Sequence, residues 1–249
     1  MIELTSHGTI AILRIQHGKA NALDLELCQA LTRELEAFRQ SSSRALVITG
    51  INKIFSAGVD LLRVAEEGAP YVRVFLPAMN GAFETLFSLL KPVVAAVNGH
   101  AIAGGCILAA AADRRLMTRD AGRIGIPELL VGVPFPVVPL EIMRFTAGRH
   151  LQSLAYTGTT CSADEAQRHG LVDIVVDGDQ IDEEALRVAE TLAAVPATSF
   201  ALTKRQLREP VLERIHVGSA IDALVQTAWE SEETLSAIRA YVERTLRKS

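Results

Sequence analysis

The sequence predicts an α/β fold in which short strands return at intervals and a purely helical segment closes the chain. Three observations carry this. The apolar runs ALVIT (45–49) and VVAAV (93–97) stop abruptly at Gly50 and at Asn98-Gly99, as buried strands do. Helical periodicity fills the intervals between such runs. From about Pro196 onward, three amphipathic segments (196–208, 217–228 and 232–246) follow one another with no strand between them.

In order along the chain, residues 3–6 and 9–15 alternate apolar and polar side chains and read as a hairpin turning at His7-Gly8. Asp24 supplies the N-cap of a helix reaching about Gln40, with Leu27, Leu31, Leu35 and Phe38 on one face. After strand 45–49, Gly58 sets a turn and Asp60 opens the next helix. The Gly68-Ala69-Pro70 break in that helix predicts a mobile lid, and Pro77 and Gly81 make its shape irregular. Strand 93–97 leads to Gly104-Gly105 and a helix of small residues through Ala112. Residues 115–118 and 172–175 read as further strands, and no sequence repeat or low-complexity linker is visible.

Composition narrows the function classes. The 249 residues are 49% hydrophobic and 22% charged, which fits a globular chain of one large domain or two small ones. The net charge of −4 is spread along the chain, so no nucleic-acid partner is expected. Cys28, Cys106 and Cys161 lie far apart, and the six histidines have no ligand spacing, so no metal site is expected. The longest apolar region, 92–112, is interrupted by Asn98, Gly99 and His100 and does not read as a membrane span. The N-terminus lacks the profile of a signal peptide and the final RKS is not a peroxisomal address, so a cytoplasmic location is expected.

Two glycine turns invite a chemical reading. Gly58 and the Gly104-Gly105 pair each follow a buried strand and precede a helix, where the first N–H groups have no intrahelical partner. Neither turn is a P-loop or a GxGxxG dinucleotide turn. Two such donors aimed at one point would form an oxyanion hole, each worth roughly 3–4 kcal/mol of barrier in acyl transfer.

The segments GKANALD (18–24), FSAGVDL (55–61), NGHAIAGGC (98–106), IGIPELLVG (124–132) and TGTTCSADEAQRHGLVD (157–173) resemble the crotonase superfamily of enoyl-CoA hydratases and isomerases, in its order and spacing. The resemblance covers essentially the full chain. It implies a crotonase-like spiral of ββα turns over 1–195, and a C-terminal helical region, 196–249, that assembles a homotrimer or a dimer of trimers. It also implies an acyl-CoA thioester as substrate and no cofactor. Carried over by position, the N–H groups of Val59 and Gly104 match the oxyanion hole. Lys19, Ala20, Ala22 and Ala57 match the CoA-lining region, and Glu128 matches a catalytic acid.

The family's hydratases usually carry a second glutamate, at the place held here by Ile107. Hydration must activate water at C3 and deliver a proton to C2, work that two carboxylates divide. A shift of a double bond from the 3- to the 2-position needs one carboxylate, and single-glutamate Δ3,Δ2-enoyl-CoA isomerases resemble this chain at that point. The stretch VPFPVVPLEI (133–142) also replaces a glycine-rich loop by a stiff apolar wall, which disfavours water addition. The expected activity is therefore enoyl-CoA isomerisation through a Glu128 proton shuttle. The alternatives are a hydratase using one glutamate, another enolate-forming enzyme such as a decarboxylase, or a non-catalytic acyl-CoA-binding protein.

Other chemistry-bearing residues have plainer roles. Asp60 reads as a helix cap, Asp113 as structural, His100 as a packed loop residue and Cys106 as a small buried filler. Glu141, on the wall segment, is the candidate substitute for the missing acid.

Overall fold

The computed structural model describes residues 1–245. Its organising unit is a turn of chain that contributes one strand to a large sheet, a short strand to a second layer, and then a helix. The hairpin β1 (Ile2–His7) and β2 (Ile10–Ile15) opens the chain, followed by β3 (Ala22–Leu23) and α1 (Leu25–Gln40). The next turn is β4 (Ala45–Thr49), β5 (Ile54–Ser56), β6 (Gly58–Val59) and α2 (Leu61–Phe87). Then come β7 (Val93–Val97), β8 (His100–Ile102) and α3 (Gly104–Ala110), and after them β9 (Arg114–Thr118), β10 (Ile124–Gly125) and α4 (Glu128–Val131).

Strands β2, β4, β7 and β9 pair in parallel in that order, and β5, β8 and β10 do the same in the second layer. The chain is thus a spiral of ββα turns. Every residue of β4 and β7 is buried, as expected of parallel strands covered on both faces. The repeat is invisible in sequence because only the burial pattern recurs.

Helices α5 (Val137–Ala147), α6 (Leu151–Thr157) and α7 (Ala163–Arg168), with β11 (Thr160–Cys161), follow the spiral. Strand β12 (Ile174–Val176) joins the edge of the large sheet, and α8 (Ile181–Ala193) covers one of its faces. This last strand starts two residues later than expected. The amides of Leu171 and Val172 are engaged by Ala166 O in a turn, and Asp173 binds Arg115.

The C-terminal segment is helical: α9 (Ala197–Val217), α10 (Ser219–Glu230) and α11 (Glu232–Thr245). Helix α9 passes Pro210 instead of ending at Arg208, because Val211 and Ile215 beyond the proline are buried and repay the lost backbone bond. The expected end of the last helix at Leu246 lies outside the described residues, as do the final RKS and the end of the 196–249 segment. The segment packs on the rest of the chain: α10 and α11 fold back on α2 and bury Trp229, Leu235, Ile238 and Val242.

The Gly68 break, where the sequence predicts a mobile lid, is a kink between two helical stretches of α2. Its φ of 62° and ψ of −149° are backbone that glycine adopts without strain, and a Cβ there would lie 3.9 Å from Leu235 of α11. Among the described residues, no single helix is long and apolar enough to cross a membrane.

Candidate active site

The two glycine turns meet. Strand β6 ends the first turn and pairs with β3, with Asp60 N donating to Leu23 O at 3.0 Å and Ala57 N to Ala20 O at 3.0 Å. Ser56 Oγ donates to Asn21 O at 2.8 Å and accepts from Gly58 N at 3.2 Å, which fastens the 18–24 segment to the turn. A Cβ on Gly58 would sit 2.5 Å from Ile102 O and 3.1 Å from Gly104 N, so the two turns touch only because that side chain is missing. Glycine at 105 is required for the same reason, since a Cβ would lie 2.3 Å from Ser56 O. Between the turns, Ala103 holds a φ of 51° and a ψ of −122°, a strained conformation for alanine of the kind that clusters at functional sites. Gly104 is the first residue of α3, where the helix leaves its N–H without a partner.

Glu128 arrives from the turn of the spiral that ends in α4. Strand β10, paired with β8 and β11, delivers the chain to Pro127, and Glu128 is the first residue of the four-residue helix α4. Gly132, left-handed at φ 93°, ends that helix, and the amides of Gly132 and Val133 both donate to Glu128 O at 3.1 Å. The side chain is buried, and neither carboxylate oxygen has a hydrogen-bond partner among the described residues. Burial pushes its pKa up from the ordinary 4.5 to about 8, and the residue's own backbone amide pulls only weakly the other way.

These parts line one cavity of about 470 Å³, a size suited to a small organic group. Val59, Gly104, Glu128, Ala20, Ala22 and Ala57 all border it, as does Ile107. Lys19 is exposed and does not, because it sits in the turn before the residues that pair with the first glycine turn. Asp60 also lines the cavity, but its Oδ1 accepts from Arg63 N at 3.1 Å and caps α2. Val133, Phe135, Pro136 and Pro139 form the apolar wall.

Two assignments change. His100 is exposed rather than packed, standing at the open end of β8 with Nδ1 accepting from Arg123 N at 3.3 Å. Glu141 does not border the cavity. It is paired instead with Arg214 at 2.7 Å and Arg144 at 2.9 Å. Burial works against its charge, but the hydrogen bonds from the two arginines hold it below the ordinary carboxylate value. Cys106 is buried, and burial with the nearby Glu128 charge pushes its thiol up, which leaves it unreactive.

Sequence reasoning missed Trp229 and Tyr241, which also border the cavity. Trp229 is the single tryptophan of the chain and its indole N–H donates to Pro134 O at 2.9 Å. A lone tryptophan on an amphipathic segment was the available signal. Among the described residues, no group of three or more His, Cys, Asp or Glu could hold a metal ion.

A spiral of ββα turns with a helical C-terminal region is the crotonase fold. The sequence model described as enoyl-CoA hydratase/isomerase matches residues 5–248, and the chain belongs to that family. The structure superposes on that of human mitochondrial Δ3,Δ2-enoyl-CoA isomerase with a TM-score of 0.94, covering 100% of this chain and 99% of that one at 24% identity, which establishes the fold. The sequence is 32% identical to a carnitinyl-CoA dehydratase of Salmonella typhi, covering 98% of this chain and 95% of that protein. It is 28% identical to the mouse mitochondrial enoyl-CoA delta isomerase 1, covering 100% and 88%. The two names denote different reactions on the same kind of thioester.

Proposed function

We propose that this family member shifts the double bond of a 3-enoyl-CoA thioester to the 2-position, with Glu128 as the proton carrier. The observation that carries the reading is the acid inventory of the cavity. Among the described residues its two carboxylates are Asp60, engaged as a helix cap, and Glu128, whose oxygens have no hydrogen-bond partner, while an aliphatic side chain, Ile107, stands where the family's hydratases usually keep their second acid.

In this mechanism the Glu128 carboxylate removes a proton from C2, the C–H electron pair forms a double bond between C2 and the thioester carbon, and the carbonyl pair moves onto the thioester oxygen, in conjugation with the 3,4 double bond. The N–H groups of Val59 and Gly104 stabilise the resulting dienolate. The carboxylic acid then returns the proton at C4 and the 2,3 double bond forms. One proton leaves and returns, no atom is gained, and no cofactor enters the balance. The Val133, Phe135 and Pro136 wall favours this course because it keeps water from the dienolate. Ala20, Ala22 and Ala57 leave room on their side of the cavity for the CoA moiety. The exposed apolar residues Leu207 and Val217 of α9 and Leu224 of α10 suit the homotrimer included in this reading.

The test is a pair of assays on purified protein. Trans-3-hexenoyl-CoA should gain the absorbance of the conjugated thioester, while crotonyl-CoA should keep its own. Hydration of crotonyl-CoA at a comparable rate would overturn the isomerase reading in favour of a one-glutamate hydratase. Silence in both, with CoA thioesters still bound, would favour a binding protein.

A further inference from the structure

The C-terminal helices touch the segment that follows Glu128 at two points. The Trp229 indole N–H of α10 donates to Pro134 O at 2.9 Å. Ala237 of α11 packs against Gly132, where an added Cβ would come within 2.9 Å of the Ala237 Cβ. Between these points lies Val133, whose amide donates to Glu128 O at 3.1 Å and whose side chain borders the cavity. Helix α4 has only four residues and ends at the left-handed Gly132, so it has little rigidity of its own. Its position depends on what presses on it from outside. The ion pair of Arg73 on α2 with Glu230 beside Trp229, at 2.8 Å, holds α10 in turn.

We propose that Trp229 and Ala237 are positioning residues: through the 132–134 segment they clamp the Glu128 helix in place and keep water from its carboxylate. The clamp rests on the reading of Glu128 as the proton carrier for its effect on turnover, but not for its effect on solvation. A misplacement of about 1 Å at a reacting group is enough to cost on the order of a hundredfold in rate. The other titratable groups that border the cavity are Asp60 and Tyr241, and Cys106 lies near enough to feel the Glu128 charge.

Three variants and two readouts test it. Trp229→Phe keeps an aromatic ring and removes the N–H, Ala237→Leu wedges the contact open, and Ala223→Ser changes an exposed residue of α10 as the control. The first readout is kcat and KM on trans-3-hexenoyl-CoA. The second is an infrared titration of the Glu128 carboxyl, assigned by its disappearance in Glu128→Gln. Ala237→Leu should lower kcat by about ten- to a hundredfold with KM within about twofold. Its Glu128 midpoint should fall from about 8 toward 4.5 as water enters. Trp229→Phe should move both quantities in the same direction by less, and Ala223→Ser should move neither.

Folded variants with wild-type kcat and an unmoved midpoint would overturn the clamp. If Ala237→Leu does not fold, Trp229→Phe decides the matter alone. If the wild type fails to isomerise yet the midpoint shifts in the variants, the proton-carrier reading falls and the clamp stands.

Discussion

At Asp113 the two carboxylate oxygens are fully engaged. Oδ2 accepts from Val93 N at 2.7 Å and Lys204 Nζ at 2.6 Å, and Oδ1 accepts from Arg208 Nη2 at 2.8 Å. At Glu128, the more deeply buried of the two, neither oxygen has a partner among the described residues. Asp113 thereby fastens α9 to the start of β7, with Lys204 and Arg208 buried over it. An acid with its hydrogen bonds satisfied serves the fold. One held without them raises the energy of its charged form and is ready to exchange a proton.

The largest expected effect follows from the unsatisfied acid. Glu128→Gln should lower turnover in the proposed isomerisation by roughly 10²–10⁴-fold, the usual contribution of a positioned acid–base group, while acyl-CoA affinity stays within a fewfold. A comparable loss of affinity and turnover would instead mark Glu128 as a binding residue. The wild-type rate should rise with pH through a midpoint near 8, because the base must be deprotonated.

Stability should move the opposite way. The folded pKa of about 8 lies above the ordinary 4.5, so the unfolded chain sheds this proton first and wild-type stability declines as pH rises from 4.5 through about 8. Glu128→Gln should lack that decline and be the more stable form by roughly a few kcal/mol near pH 8. Denaturant titrations at several pH values read the difference, and parallel curves would contradict it.

Asp113→Asn is the mirror experiment. It leaves Lys204 and Arg208 buried with no countercharge, which costs about 3–5 kcal/mol when one partner of a buried pair is removed. Burial already pulls Lys204 down to about 7 against the pull of Asp113, and losing the acid should lower it further. Turnover per folded molecule should stay near wild type. A fall in kcat without a fall in unfolding free energy would erase the contrast between the two acids.

Much of this was legible from sequence because the signals are local. Asp24 accepts from Leu27 N at 2.7 Å and starts α1 as its position suggests, and the strands 45–49 and 93–97 stop at the glycine and asparagine that bound them. The pairing of Val59, Gly104 and Glu128 on one cavity was legible only through matched motifs, since three separate turns of the spiral deliver them. Trp229 and Tyr241 were not. Amphipathic periodicity reports that a helix has an apolar face, without saying which distant surface that face covers. Nor did the wall segment reveal that Glu141 turns away from the cavity, because its partner Arg214 is 73 residues distant.

Gly158 sharpens the contrast at smaller amplitude. Its φ is 60°, and a Cβ there would lie 2.5 Å from Leu130 Cγ and 3.3 Å from the Cα of Pro127, the residue that precedes Glu128. Gly158→Ala should therefore cost about 1–3 kcal/mol of stability through strain and overpacking. Part of the displacement should reach α4, so kcat should drop severalfold as well. A purely thermal loss, with kcat intact, would mean that α4 is held entirely from the other side.

The smallest expected effect belongs to Glu141, the other buried glutamate. Its two arginine partners are about half exposed, at 49% and 54%, so water and salt weaken both ion pairs. Glu141→Gln should cost about 1 kcal/mol of stability and leave turnover within a factor of two, with the stability loss shrinking at high salt. Melting curves at two ionic strengths and a single kcat measurement decide it. A tenfold loss of turnover would return Glu141 to the chemistry as a second acid, and the one-acid account of the cavity would then fail. An unchanged rate leaves Glu128 as the sole buried glutamate without hydrogen-bond partners among the described residues, which is the property the proposed proton transfer requires.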